Sequence, residues 1–223
     1  MLPQTTVPLS RLQTLNARVM HQALQESAQA TLHTDADAGP LAAFREARGD
    51  GEAVSVEAVV GRAVVGALQA HPHVNARVGV EGLNVHRAVN LGLMVVLDKG
   101  VIVPVIAEAE RLALADLDAA FRQLADRAAG GRLSLADTRN ATFTLASFAD
   151  FGVDHFTPIL VGNMVATLGV GRVRAVCEPD GAACRPGHRI ALSLTFDHRA
   201  IHGVEAARFL RAVTDRLAAP DRL

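Results

Sequence analysis

The sequence predicts an α/β fold in two layers, a mixed β-sheet with helices packed on it. Three observations carry that prediction. Segments with helical apolar spacing and short apolar runs are interleaved along the whole chain. The runs in its middle are joined by tight turns, so part of the sheet is antiparallel and strict β-α-β alternation is absent. Neither a G-x-G-x-x-G pattern nor a Walker phosphate loop follows a strand, which argues against a Rossmann sheet.

Each element has its own reason. Leu9, Leu12, Leu15, Val19, Met20 and Leu24 recur at helical spacing, and Ser10 is placed to cap that helix. Residues 30–38 alternate weakly and read as a strand. Gly39-Pro40 opens a short helix to about Arg48, and "GDGE" reads as a loop. A helix over 54–70 ends at His71-Pro72, because a proline disfavours the α conformation in the residue before it. Strands follow at 76–80, 85–88, 91–96 and 102–106, linked in part by the turns "EGLN" and "LDKG". A helix over 112–129 stops at Gly130-Gly131, and Ser134 caps another short helix. Strands at 142–147, 165–176 and 189–196 come next, the last two joined by a loop "CEPDGAACRPGH", and a helix over 204–217 closes the series.

Composition narrows the function. Half of the 223 residues are hydrophobic, enough for a sizeable core, and with no linker or repeat the whole chain, 1–223, reads as one domain. A net charge of −1 with mixed signs gives no nucleic-acid or anionic-membrane footprint. No apolar run reaches the ~18 residues of a membrane helix, and no signal peptide is evident. Cys177 and Cys184 form neither a disulfide framework nor a Cys-x-x-Cys metal pair, so a reduced, cytoplasmic protein is expected.

Five stretches together resemble one family. They are "VPLSRLQTLNARVM", "HPHVNA", "LDKGVIVPVI", "FTLASFADFGVDHFTPIL" and "FDHRAIHGVEAARFL", in family order over nearly the whole chain. They are similar to the catalytic domain of the 2-oxo acid dehydrogenase acyltransferases, the dihydrolipoamide acyltransferases. The resemblance implies a chloramphenicol-acetyltransferase-like fold and a homotrimer with active sites in channels between subunits. It implies acyl transfer between dihydrolipoamide and coenzyme A as substrates, with no metal. Typical relatives also carry lipoyl and subunit-binding domains, which do not stand in these 223 residues, so the sequence is either an excised core or a protein that stands alone. If it stands alone, the lipoyl group is expected from a separate protein, among 2-oxo acid dehydrogenase components. The short tail after Pro220 favours an isolated trimer.

Thioester exchange needs a thiol deprotonated as it attacks a carbonyl. With a free thiol near pKa 8.5, a neutral imidazole is a matched base. His198 stands at the family's catalytic histidine and is assigned that role; the alternative is a structural histidine capping the turn. Asp197 and Arg199 read as holders of the turn. Two supports differ from the family. His202 occupies its Asp (sometimes Asn) position and brings no negative charge. Ala146 occupies the position of the serine that donates to the oxyanion. Ser147 is the adjacent substitute, but in a strand it faces the other way unless a bulge turns it. Thr144 shares the face of Ala146, two residues away. Losing one oxyanion donor typically costs ~10²–10³ in turnover, which impairs an enzyme without abolishing it. His198 and His202 have i, i+4 spacing, but Gly203 follows and no third ligand is evident, so a metal site is not expected.

Two other functions remain open in the sequence. A non-catalytic trimeric core or assembly subunit fits Ala146 and His202. A transferase from acyl-CoA to a free small molecule fits the fold. The identity of the acyl group is not readable.

Overall fold

The structure, a computed structural model, describes residues 4–48, 54–181 and 183–223. The loop expected at 49–52 lies outside them. The chain runs α1 (Arg11–Glu26), β1 (Gln29–Asp37), α2 (Gly39–Glu46), α3 (Val56–Ala70), β2 (Ala76–Val78), β3 (Leu83–Val85), β4 (Leu91–Leu93), β5 (Val95–Leu97), β6 (Gly100–Ile102) and β7 (Val105–Ile106). It continues through α4 (Leu114–Ala129), β8 (Phe143–Ser147), β9 (Ala166–Asp180), β10 (Ala183–Asp197) and α5 (Gly203–Leu217).

Six strands form the main sheet in the order β1-β10-β9-β8-β4-β7. β8 lies parallel to both β4 and β9, while β1/β10, β10/β9 and β4/β7 are antiparallel, so the sheet is mixed as expected. Two small hairpins, β2–β3 and β5–β6, stand beside it.

Alternation along the strands separates the two faces. Phe143, Leu145, Leu168, Leu192 and Leu194 belong to the core that α3, α4 and α5 complete, and Phe143 meets Phe209 of α5 with ring centroids 5.7 Å apart. Burying each such side chain stabilises the fold by about 1.5–3 kcal/mol before entropy. Asp118 of α4 is buried and accepts from the Ser55 N–H at 2.9 Å and its hydroxyl at 2.6 Å. Ser55 in turn caps α3, so one carboxylate ties α4 to the start of its neighbour.

The opposite face is crossed by the segment 152–163. It presses against the sheet where β9 carries glycine. A Cβ on Gly169 would sit 2.8 Å from the Phe156 ring, and one on Gly171 would sit 1.8 Å from the Asp154 carbonyl oxygen. Arg172 fixes the segment further, its N–H donating to Val153 O at 2.9 Å and its Nε to Asp154 at 2.7 Å.

α1 begins in a capping box in which Ser10 accepts from the Gln13 N–H and the Gln13 side chain accepts from the Ser10 N–H. Only Ala23 of α1 is fully buried. The helix docks through Asn16, which accepts from Val101 N at 2.9 Å and donates to Val101 O at 3.1 Å.

Several expectations need correction. The strand expected over 91–96 is two: β4 joins the main sheet and β5 pairs with β6. The strand expected at 85–88 is β3, shifted toward the turn, where Gly82 has φ of 142°. Ser134 starts no α-helix; a 3-10 turn, Ala136–Thr138, follows, with Asp137 accepting from the Ser134 N–H and hydroxyl. The expected loop "CEPDGAACRPGH" is mostly strand, because β9 and β10 continue as a long ribbon to a turn at Gly181. Glu178 holds that ribbon between Arg185 and Arg189. Cys177 and Cys184 come together diagonally across it, Cα–Cα 5.6 Å, close enough for their thiols to meet.

Candidate active site

The turn from β10 into α5 is locked by Asp197. That residue is 1% exposed. Its Oδ1 accepts from the N–H groups of Ala28 at 3.3 Å and Arg199 at 3.0 Å, and its Oδ2 from Arg199 Nη2 at 2.6 Å. Burial pushes this carboxyl up, but the Arg199 guanidinium and the backbone donors outweigh it and hold the group below the usual carboxylate range. The Asp197 carbonyl closes the turn by accepting from Ala200 N at 2.9 Å and Ile201 N at 3.2 Å. Asp197 and Arg199 thus hold the turn, as expected.

His198 sits on this frame. Its backbone N–H donates to Ala28 O at 2.9 Å. Its exposed ring lies 5.7 Å from the Phe196 ring and 5.5 Å from that of His202, centroid to centroid. His202 occupies the N-cap position of α5, but its side chain makes no capping hydrogen bond. Neither imidazole serves the turn as a polar cap. Both residues are exposed.

The second part of the site is a cavity of about 1000 Å³ on the sheet face away from α3, α4 and α5. α1, the β5–β6 hairpin, β8, β9 and the crossing segment enclose it, and apolar groups such as Leu12, Val19 and Phe156 dominate its wall. Ala146, Thr144 and Thr167 form its floor. Ser147 does not line it. The Ser147 hydroxyl donates to Glu57 Oε1 at 2.8 Å, toward α3, so β8 keeps its alternation without a bulge and this side chain is no substitute donor.

The two parts do not meet within one chain. Across the sheet, Ala146 is level with Gly169, and Gly169 with Ser193. His198 lies five residues beyond Ser193 on the same chain. At ~3.3 Å per residue and two strand spacings of ~4.8 Å, His198 and Ala146 are roughly 15–20 Å apart. That is far beyond hydrogen-bond reach.

The structure therefore brings His198 and His202 together, and Ala146 and Thr144 together, but not the two pairs. Sequence reading passed over Thr167. Its signal was a hydroxyl on the cavity face of an otherwise apolar strand, in register with Thr144 and Thr195. Among the described residues, no three His, Cys, Asp or Glu side chains gather into a metal-binding group, and no helix is long and apolar enough to cross a membrane.

Comparison with known proteins agrees with this architecture. Residues 2–223 match the family described as 2-oxoacid dehydrogenases acyltransferase (catalytic domain). The dihydrolipoyllysine-residue acetyltransferase component of the acetoin cleaving system of Bacillus subtilis (strain 168) is 35% identical over 97% of this chain and 56% of its own length. The chain spans about half the length of such curated relatives. The solved dihydrolipoamide acetyltransferase of Azotobacter vinelandii superposes with a TM-score of 0.92 at 30% identity, covering 97% of this chain and 92% of that one. In that enzyme the catalytic roles of a serine, a histidine and an asparagine were investigated. Chloramphenicol acetyltransferase shares the fold at a TM-score of 0.59 and 15% identity, over 90% of this chain and 94% of its own.

Proposed function

The chain belongs to the 2-oxoacid dehydrogenase acyltransferase catalytic-domain family, and on that premise we propose that it moves an acyl group between coenzyme A and dihydrolipoamide with His198 as the base. The observation that carries the proposal is the turn at 197–202. It holds an imidazole on a rigid, salt-bridged frame and leaves the ring free to exchange a proton. The serine, histidine and asparagine investigated in the Azotobacter enzyme have the same mutual separations along its chain as Ala146, His198 and His202 have here, which supports the assignment.

The reaction follows from the parts. His198 takes the proton of the attacking thiol as sulfur adds to the thioester carbonyl. The tetrahedral intermediate collapses, the carbon–sulfur bond to the departing thiol breaks, and His198 returns the proton to that sulfur. The apolar cavity excludes water, which would hydrolyse the thioester. Because His198 and the cavity floor are roughly 15–20 Å apart within a chain, the centre is completed by another copy. A homotrimer with its channels between subunits meets that need. The exposed apolar side chains Val7, Leu9, Leu15 and Leu24, on and beside the barely buried α1, offer a face for such packing. A lipoyl-bearing partner brings the second thiol.

The test is acetyl transfer from acetyl-CoA to dihydrolipoamide, with a His198→Ala variant beside the wild type. The expected result is turnover that falls by about 10²–10⁴ in the variant. A folded oligomer that binds no coenzyme A and shows no turnover would replace this reading with that of an assembly subunit.

A further inference from the structure

Thr167 is 1% exposed, and its Oγ1 is buried with no hydrogen-bond partner among the described residues. Buried hydroxyls are nearly always paired, so an orphaned one calls for a reason. Its neighbours across the sheet are engaged. Thr195 Oγ1 is bonded to Thr31 Oγ1 at 2.8 Å, and Thr144 Oγ1 donates to Met164 Sδ at 3.5 Å. Thr167 instead lines the cavity beside Ala146. Thr144 is level with Thr167, and Ala146 with Gly169, so Thr167 and Ala146 are diagonal neighbours on one face, about 7–8 Å apart at Cα. A χ1 turn that swings the Thr167 hydroxyl from its buried position into the cavity lets it donate to an oxygen bound over Ala146, the place where this chain carries a methyl group and no hydroxyl.

We propose that the Thr167 hydroxyl is this chain's oxyanion donor, a catalytic residue that supplies the hydrogen bond Ala146 cannot. The inference rests on the acyl-transfer reading. As the thiolate sulfur bonds to the thioester carbon, the carbonyl π pair moves onto oxygen, and Thr167 Oγ1–H donates to that oxyanion. On collapse the pair returns to re-form C=O, the bond to the leaving sulfur breaks, and that sulfur takes the proton held by His198. Thr167 neither gains nor loses a proton. A β-branched side chain on a central strand has few rotamers open to it, so the hydroxyl meets the developing charge from a small choice of positions.

The experiment compares wild type, Thr167→Val, Thr167→Ser, Ala146→Ser and the double variant Thr167→Val/Ala146→Ser in acetyl transfer from acetyl-CoA to dihydrolipoamide, with thermal unfolding in parallel. Valine keeps the shape and removes only the donor. Thr167→Val is expected to lose about 10²-fold in kcat with KM and Tm little changed. Thr167→Ser is expected to keep most of the activity, and Ala146→Ser to restore it in the double variant, a rescue that a merely structural threonine does not allow. Should Thr167→Val not fold, Thr167→Ala takes its place. Wild-type kcat in the folded variant overturns the inference, as does a loss that Ala146→Ser fails to restore. Turnover in Ala146→Ser but none in wild type overturns it too. Absence of turnover in both refutes the acyl-transfer reading itself.

Discussion

Replacing Asp197 by alanine tests whether the turn that presents His198 is built as described. The carboxylate is 1% exposed and accepts from two backbone N–H groups and from the Arg199 guanidinium. The Arg199 side chain is 48% exposed, so its share is discounted for solvent screening, and on losing its partner it returns to water at little cost. The backbone donors of Ala28 and Arg199 lose a charged acceptor at about 1–2 kcal/mol each. The expected destabilisation is therefore about 2–4 kcal/mol in urea unfolding at neutral pH. Asp197→Asn keeps one carbonyl acceptor and is expected to lose about half as much. Activity follows geometry. The His198 N–H bonds Ala28 O beside this carboxylate, so loosening the turn moves the ring, and kcat is expected to fall by about 10-fold or more while the protein remains folded. A loss below about 0.5 kcal/mol with unchanged turnover would refute the reasoning, because surface substitutions away from special features fall within that range.

Gly171→Ala places a methyl group 1.8 Å from the Asp154 carbonyl oxygen, which is backbone and cannot swing aside. It is expected to cost about 2–3 kcal/mol and to release the crossing segment to limited proteolysis, while an intact segment of native stability would contradict the packing described. Acid weakens the fold through Asp118 and Asp197, whose carboxyls are raised by burial but lowered further by their hydrogen-bond donors. Their folded values lie below the unfolded ones, so their stabilisation is present above the usual carboxylate range and is lost as the pH falls through the folded values. The midpoint of urea unfolding is expected to drop over that window, and less so in Asp118→Asn, which removes one titrating group.

Much of the fold was legible because local and global signals agreed. Ser10 caps α1, His71-Pro72 ends α3, and "LDKG" turns β5 into β6, all from short-range chemistry. The long ribbon was not legible. Pro179, Pro186 and Gly187 read as loop, yet the ribbon extends beyond the rest of the sheet, where a missing N–H is tolerated. The break at Met94 was hidden as well, because β4 and β5 are one apolar run whose partners change midway. For the site, the motif residues stood out because they depart from a known pattern. Thr167 has no motif around it, and only the register of three strands gives it a position next to Ala146.

His198 and the cavity floor at Ala146 lie on surfaces that cannot meet within one chain, so acyl transfer as proposed needs two copies. Mixed oligomers test this most directly. His198→Ala removes the base, and Ala146→Phe fills the cavity floor, so each variant alone is expected to be inactive. Unfolded and refolded together, they are expected to recover part of the wild-type acetyl transfer, because some pairs of neighbours then combine an intact His198 with an intact cavity. Verified mixed oligomers that recover no activity would contradict the claim.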